Sequence, residues 1–277
     1  MKVAYLGPEG TFSEEAAIRF FQGQAVEWVV CPAIPDVLEA ILNEDVLFGI
    51  VPIENSIDGS VNVALDGLLR HGELFVCGEL VLPIEQMLLG LPGTRIDQVT
   101  EVWSIPPALA QCHNFIRQRG LPTRHFTSTA AAAKEIVTSG RSDVGAVASA
   151  WAAKKFGLSI LASNIQDAAS NHTRFLTLRK GEIVPDTADK TMLLVLPSTE
   201  HAGVLASILN VFAAFGLNLS WIASRPVKTQ LGVYQFAFDV EAGLHDERMQ
   251  KSLSILRTFD HQVRVLGSFA AWKPGPR

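Results

Sequence analysis

Short, wholly apolar runs alternate with stretches of helical spacing from Val3 to about Leu178. Runs such as "VAYL", "LFGIVPI" and "DVGAVA" have no polar face, and the stretches Ile34–Leu42 and Ala108–Arg119 are predicted to be helices. Strands that are apolar on both faces are typical of parallel sheets that helices cover on each side. The pattern therefore predicts an α/β domain over residues 1–180.

The chain is expected to pass between two lobes within this domain. Glu73–Leu89 lacks helical spacing and is too long for one strand, so we interpret it as a crossing between lobes. The return is expected near Leu158–Ile165. A polar, proline-containing segment, Arg179–Lys190, then indicates a linker.

The order of predicted elements changes after the linker. Strand, helix, strand, strand, helix and strand follow one another, which is the βαββαβ order of a ferredoxin-like sandwich. This predicts a second domain over residues 190–270. It contains no group of residues suited to catalysis, so we expect it to serve regulation or assembly.

Composition argues against several classes of function. The 277 residues carry a net charge of -5, only 18% are charged and there is no run of like charge, so neither a nucleic acid nor a membrane partner is expected. The N-terminus lacks the apolar core of a secretion signal, which predicts a cytoplasmic protein. Three cysteines without a CxxC pair and singly placed histidines predict no metal site.

Two polar segments follow predicted strands, at the sheet edge where ligands of α/β domains bind. In "GPEGTFS", Thr11 and Ser13 either cap a helix or lie at a turn whose free N–H groups bind an anion. In "VPIENSIDGSV", Glu54, Asn55 and Ser56 either form a site or belong to an ordinary turn.

Two further segments have the same position. Ser104 and Gln111 in "SIPPALAQC" lie two helical turns apart and either face one cleft together, or Ser104 is a plain N-cap. In "SNHTRFLTL", Thr173 and Arg174 stand at the mouth of a buried strand that begins with Phe175. The alternative is a strand-entry turn with a solvated arginine.

Together, the motifs "GPEGTFSEEAA", "PIENSIDGSV", "ALAQC" and "NHTRFL" resemble those of the prephenate dehydratase family. The C-terminal part, with "HAGVLASIL" and "SRP", resembles the ACT domain fused to those enzymes. The resemblance extends from Val3 to about Ala270. It implies a two-lobed, periplasmic-binding-protein-like catalytic domain that closes over its substrate. No chorismate mutase segment precedes Met1, so the monofunctional form is expected.

The resemblance implies a carbon–oxygen lyase that converts prephenate to phenylpyruvate, water and carbon dioxide in phenylalanine biosynthesis, without a metal or other cofactor. Thr173 would donate a hydrogen bond to the departing hydroxyl group. The implied catalytic residues are Thr173, Glu54, Asn55, Ser104 and Gln111, and the implied substrate-binding residues are Thr11, Ser13, Ser56, Arg174 and Phe175.

L-phenylalanine is the implied allosteric effector. Its expected contacts are His201, Ala202, Gly203, Val204, Leu205, Asn218, Ser224, Arg225 and Pro226, within the stretches Glu200–Leu205 and Asn218–Pro226. The two stretches would come from facing subunits, which implies a homodimer or homotetramer. The sequence departs from many relatives at Ile105, where they have histidine, and at Ala223, where they have glutamate.

Three alternatives remain beside this function. Nothing in the sequence excludes a dehydratase that prefers arogenate. A prephenate decarboxylase that keeps the hydroxyl group is disfavoured by the intact Thr173. A two-lobed sensor that binds an amino acid or keto acid without turnover is disfavoured by four polar motifs in one domain.

Overall fold

The computed structural model describes residues 1–199, 201–227 and 232–273. Its strands are β1 (Lys2–Leu6), β2 (Glu27–Cys31), β3 (Phe48–Asn55), β4 (Gly59–Ser60), β5 (Leu74–Pro83), β6 (Met87–Gly90), β7 (Glu101–Ser104), β8 (Thr123–His125), β9 (Val144–Ala148), β10 (Ser159–Ala162), β11 (His172–Lys180), β12 (Lys190–Leu196), β13 (Leu219–Pro226), β14 (Tyr234–Val240) and β15 (Gln262–Phe269). Its α-helices are α1 (Phe12–Phe20), α2 (Ile34–Leu42), α3 (Asn62–Arg70), α4 (Pro106–Gln111), α5 (His113–Gln118), α6 (Thr129–Ser139), α7 (Ala150–Phe156), α8 (Val204–Ala214) and α9 (Glu247–Thr258). None of these helices is long and apolar enough to cross a membrane.

The chain divides into two compact units. The first comprises Met1–Ala64 and Leu80–Phe175, and the second comprises Leu65–Glu79 and Leu176–Arg277. The predicted domain boundaries, 1–180 and 190–270, follow the sequence motifs and stay a prediction. The units differ from them mainly in assigning the segment 65–79 to the second unit.

The first sheet has the strand order β2-β1-β3-β11-β5, and β4 pairs with β3. β1 runs parallel to both β2 and β3, as the apolar runs predict. Helix α1 packs Ala16 and Ala17 into the same core as Tyr5 and Ile50. Thr11 begins this helix because its side chain accepts a hydrogen bond from the N–H of Glu14.

The second sheet is mixed, with the order β10-β6-β9-β7-β8. β7 is parallel to β8 and β9, but β6 is antiparallel to β9 and β10, so the expectation of parallel sheets is wrong for β6 and β10. The predicted crossing Glu73–Leu89 consists of β5 and β6, joined by residues 84–86. The chain therefore enters the second sheet without the helical crossover that precedes a parallel strand.

Two helices of the first unit differ from the sequence prediction. The helix expected over Ala108–Arg119 is broken at Cys112, which has φ -112° and ψ 23° and separates α4 from α5. Helix α7 was not predicted, although its ends carry clear signals. Ser149 caps its start and Gly157 ends it with a left-handed φ of 67°.

The third sheet has the order β13-β14-β12-β15 and is antiparallel throughout. Helices α8 and α9 pack on it around a core that includes Ile208, Phe212, Phe238 and Leu253. This arrangement confirms the predicted βαββαβ order. Helix α8 begins after Gly203, whose φ of 91° favours glycine.

Candidate functional site

A cavity of about 1000 Å³ lies within the first unit. Its walls come from β1, β3 and β4, from the turns that start α1, α4 and α6, and from the start of β11. This volume is at the upper end of the range of roughly 300–1000 Å³ for small-molecule sites. The cavity is therefore large enough for a small organic acid.

Uncharged polar side chains dominate the polar part of the wall. They are Thr11, Ser13, Asn55, Ser60, Gln86, Gln111, Thr127, Ser128, Thr129, Asn171 and Thr173. Asp58 supplies a carboxylate, and the described lining residues include no lysine, arginine or histidine. Any anion in the cavity is therefore met by neutral donors and helix termini.

Asn55 orients the hydroxyl group of Thr173. Its Nδ2 donates to Thr173 Oγ1 at 2.9 Å and to Asn171 Oδ1 at 2.7 Å. Its Oδ1 accepts from the backbone N–H groups of Ile57 and Asp58 at 2.9 and 3.0 Å, which fixes the amide. Because Thr173 Oγ1 accepts this hydrogen bond, its own proton can point toward a ligand.

The hydrogen-bond network continues from Asn171 to the end of α4 and to the turn between β3 and β4. Asn171 is only 3% exposed, and its Nδ2 donates to Gln111 Oε1 at 3.1 Å. Gln111 Nε2 donates in turn to Asp58 Oδ2 at 3.2 Å. The sequence analysis did not assign Asn171 and Asp58 to the site, although both lie inside the motifs that drew attention to Thr173 and Asn55.

The N-termini of α1 and α6 both open onto the cavity. Thr11 and Ser128 are their N-caps, and they accept from the N–H groups of Glu14 and Ala131 at 3.3 and 2.9 Å. Thr11 also donates to the carbonyl of Pro8 at 2.9 Å, so its hydroxyl group serves the turn. The positive ends of two helix dipoles favour an anion at this wall.

The remaining lining residues divide into expected and missed positions. Ser13 and Phe175, which were predicted, line the cavity and are 7% and 2% exposed. Thr127, Thr129 and Gln86 were missed. A helix-start signal was available for Thr127 and Thr129, which flank the N-cap Ser128.

Ser104 does not face the cavity, which corrects the expectation drawn from its motif. It is fully buried, and its Oγ donates to the carbonyl of Val147 at 2.7 Å. It is not a helix cap either, because α4 has Ile105 at its N-cap position. As the last residue of β7 it braces β7 against β9.

Three other predicted residues are also outside the described cavity wall. Ser56 braces the loop after β3, since its N–H donates to the carbonyl of His172 at 2.9 Å and its Oγ accepts from the N–H of His172 at 3.0 Å. Glu54 pairs with Ser60 between β3 and β4. Arg174 is half-buried beside Thr173 without lining the cavity.

The predicted effector residues occupy two places in the second unit. His201, Ala202 and Gly203 are exposed directly before α8, whose first residues are the buried Val204 and the half-buried Leu205. Asn218 is exposed before β13, and Ser224 and Pro226 are exposed on it. Glu200 lies outside the described residues.

Arg225 has a partner within the second unit. Its guanidinium group lies 2.7 Å from Asp66 Oδ1, on α3. Its Nε also donates to the same oxygen at 2.8 Å. The side chain is therefore engaged in an ion pair that joins β13 to α3.

Among the residues that the structure describes, there is no group of three or more His, Cys, Asp and Glu side chains placed to hold a metal ion.

Comparison with curated proteins gives matches along nearly the whole chain. Prephenate dehydratase of Bacillus subtilis (strain 168) is 35% identical over 99% of this chain and 100% of that protein. Arogenate dehydratase 2 of Petunia hybrida is 40% identical over 97% of this chain and 71% of that protein.

Solved structures match over a similar extent. The crystal structure of prephenate dehydratase from Staphylococcus aureus subsp. aureus Mu50 has a TM-score of 0.89 and 34% identity, over 97% of this chain and 100% of that one. Prephenate dehydratase from Arthrobacter aurescens, in complex with L-Phe, has a TM-score of 0.88 and 30% identity, over 98% and 90% of the two chains. The family model for prephenate dehydratase matches residues 3–183. This match over more than half of the chain, together with relatives such as the Bacillus subtilis enzyme, shows that the chain belongs to the prephenate dehydratase family.

Proposed function

We propose that this chain converts prephenate to phenylpyruvate, water and carbon dioxide, as a carbon–oxygen lyase. The observation that carries the proposal is the Thr173 hydroxyl group, which Asn55 orients in the cavity. In the reaction the ring carboxylate leaves as carbon dioxide, and its bonding electron pair enters the ring. The C4–O bond breaks, and the departing oxygen takes up one proton to form water.

Thr173 acts on the departing oxygen. A threonine hydroxyl group is a poor acid near neutral pH, so it donates a hydrogen bond or relays a proton from water. Asn55 and Asn171 are already fixed by their own hydrogen bonds. Donors that are oriented before the reaction need no reorganisation in the transition state, and this is the source of their catalytic effect.

Prephenate carries two carboxylates, and the cavity wall provides for anions without a cationic side chain among its described residues. The N-termini of α1 and α6 would hold a carboxylate through backbone N–H groups and through the helix dipoles. Ser13 and Thr129 add hydroxyl groups in the first turns of the two helices.

The regulatory part of the proposal concerns the second unit. We assign its βαββαβ segment to an ACT domain that binds L-phenylalanine at the start of α8 and along β13. The L-Phe complex of the Arthrobacter relative and the strand order of the third sheet support this assignment. We further propose a two-lobed catalytic domain that closes over substrate, a cytoplasmic enzyme, and a homodimer or homotetramer.

Arogenate is the second candidate substrate, and Asp58 favours it. Arogenate has an ammonium group where prephenate has a keto oxygen. Asp58 places a carboxylate in the cavity wall, where it accepts a hydrogen bond from Gln111 and can pair with an ammonium group. The similarity to the petunia arogenate dehydratase supports the same candidate.

Separate incubation of the purified protein with prephenate and with arogenate tests the proposal. Prephenate should yield phenylpyruvate and carbon dioxide in equal amounts, and arogenate would yield phenylalanine. A larger kcat/KM for arogenate would make it the main substrate. Carbon dioxide release without loss of the hydroxyl group, or the absence of any turnover, would contradict the dehydratase function.

A further inference from the structure

Glu14 is a buried carboxylate next to the cavity but not in its described wall. It is 3% exposed and accepts four hydrogen bonds. Gly10 N–H and Trp151 Nε1 donate to Oε2 at 2.7 and 2.8 Å, and Lys155 Nζ and Tyr5 OH donate to Oε1 at 2.8 and 3.3 Å. Burial by itself would raise the pKa of Glu14, but the hydrogen bonds from Lys155, Trp151 and Gly10 and the charge of Lys155 outweigh it and lower that pKa.

The donors to Glu14 come from two parts of the first unit, one belonging to the first sheet and the other packed against the second sheet. Tyr5 belongs to β1 of the first sheet, and Gly10 lies in the turn that follows it. Trp151 and Lys155 are on α7, which packs Ala152 and Ala153 into the core beneath the second sheet. The carboxylate therefore joins the two sheets of the first unit through charge-assisted hydrogen bonds.

Close packing reinforces this junction at Gly10. A Cβ atom at Gly10 would lie 2.6 Å from the ring of Phe156 on α7 and 3.2 Å from Cβ of Ala130 on α6. The φ of +86° at Gly10 also favours glycine. The turn after β1 is thus fitted directly against α6 and α7.

The same turn forms part of the cavity wall. Gly7, Pro8 and Thr11 line the cavity, as do Ser128 and Thr129 at the start of α6. Gly10 directly precedes Thr11, and the N–H of Glu14 donates to Thr11 Oγ1 at 3.3 Å. Helices α6 and α7 share one core, so the hydrogen bonds of Glu14 to α7 connect the start of α1 with the helix on which α6 packs.

We propose that Glu14 is a positioning residue that holds the turn Gly7–Thr11 against α7 and so sets the spacing of the two helix N-termini that bind the substrate carboxylate. This inference rests on the proposed function for its kinetic consequence. The carboxylate that remains in the product is held alike in the ground state and the transition state. If the spacing between the two helix N-termini is lost, KM should therefore increase more than kcat decreases.

The variant Glu14→Gln tests the proposal because it keeps the size of the side chain. Its amide nitrogen would face an N–H or ammonium donor, and Lys155 would keep only Glu9, at 3.3 Å, as a carboxylate partner. We expect KM for prephenate to rise about 10-fold or more, with kcat within about 3-fold of the parent. Lys155→Met should also raise KM. In the double variant, the fold increase in KM should be smaller than the product of the two single increases.

Glu15→Gln is the matched control. Glu15 is 9% exposed on the same helix, but its partner is Arg19 at 2.6 Å, also on α1. This variant should leave KM within about 2-fold of the parent, as expected for a pair within one element.

Hydrogen exchange without substrate gives a readout that is independent of the reaction. Amides of residues 7–14 and 150–156 should exchange faster in Glu14→Gln than in Glu15→Gln. An unchanged KM, or equal exchange in the two variants, would overturn the positioning role.

If Glu14→Gln does not fold, Lys155→Met and Trp151→Phe decide by the same criteria. A parent protein without dehydratase activity would refute the proposed function, while the exchange result would still decide on the junction.

Discussion

Asn55 shows how much of the site depends on one side chain. Its amide accepts from two backbone N–H groups of its own loop and donates to Thr173 and Asn171. Both ends of the amide are therefore occupied, and its orientation is fixed. Because Thr173 Oγ1 accepts from Asn55, its own proton is left to donate elsewhere, including to a ligand.

Thr173→Val is expected to abolish most of the turnover without loss of folding. Valine has nearly the same shape, but it removes the donor to the departing oxygen. Loss of one transition-state donor typically lowers kcat by about 100- to 1000-fold. Steady-state kinetics with prephenate, together with a circular dichroism spectrum, measure the effect. KM should change much less, because the lost contact strengthens as the C–O bond breaks.

Ser104→Ala is the matched control for this experiment. Both residues were predicted to be catalytic, but the Ser104 hydroxyl group bonds to the Val147 carbonyl in the core. We therefore expect kcat within a few-fold of the parent and a loss of unfolding free energy of about 1 kcal/mol. A Ser104→Ala variant as inactive as Thr173→Val would contradict the site geometry described above.

At the scale of elements, the end of α3 is stabilised by a side chain from β15. Arg264 donates to the carbonyls of Leu68, Leu69 and His71 at distances of 2.8–3.1 Å. The last carbonyls of a helix have no partner within it and carry the negative end of the helix dipole. The cation is partly removed from water, and this burial lowers the pKa of Arg264.

Arg264→Met is expected to destabilise the second unit. Methionine keeps much of the apolar stem but leaves three carbonyls without their donor. The loss in the free energy of unfolding should be about 2 kcal/mol. Urea unfolding, followed by circular dichroism, measures it. The control is Arg248→Met, which removes an exposed side chain that pairs with Asp246. Its free energy of unfolding should stay within about 0.5 kcal/mol of the parent. Equal stability of the two variants would contradict the role of Arg264.

At the scale of the whole molecule, the second unit is not a simple C-terminal extension. Its segment 65–79 contributes Glu79, whose side chain is 2% exposed and lies 2.6 Å from Lys190 Nζ, and Asp66, which pairs with Arg225. Gly267 also fits so closely to the carbonyl of Val76 that an added Cβ would lie 2.1 Å from it. Cutting the chain near Pro185 would leave Glu79 and Asp66 without Lys190 and Arg225. Regulation is therefore better tested on the intact chain.

L-phenylalanine is expected to inhibit the intact protein by weakening substrate binding. An effector shifts an equilibrium only by its preference for one state. A coupling of about 1–3 kcal/mol would raise KM for prephenate by roughly 5- to 150-fold. Kinetics and calorimetry with L-phenylalanine measure it, and D-phenylalanine serves as the control ligand.

Substrate should weaken L-phenylalanine binding by the same factor. Absence of binding heat together with unchanged kinetics at millimolar L-phenylalanine would refute this regulation.

The sequence by itself determined the elements whose signal is local. Alternating apolar runs located β1, β3 and β9, and the change of order after the linker located the βαββαβ segment. The motifs around Asn55 and Thr173 led to the cavity. These features depend on which faces of a segment are buried, and side-chain spacing records that burial directly.

Only the tertiary structure decided which polar residues meet. Asn55 reaches Thr173 across 118 positions, and Glu14 reaches Lys155 across 141. The same structure removed Ser104 from the site and brought in Asn171. Sheet order and register set these contacts, and the spacing of residues along a segment carries no information about either. A polar residue at a strand end looks the same in the sequence whether it lines a cavity or bonds to the neighbouring strand, because only the folded chain supplies its partner.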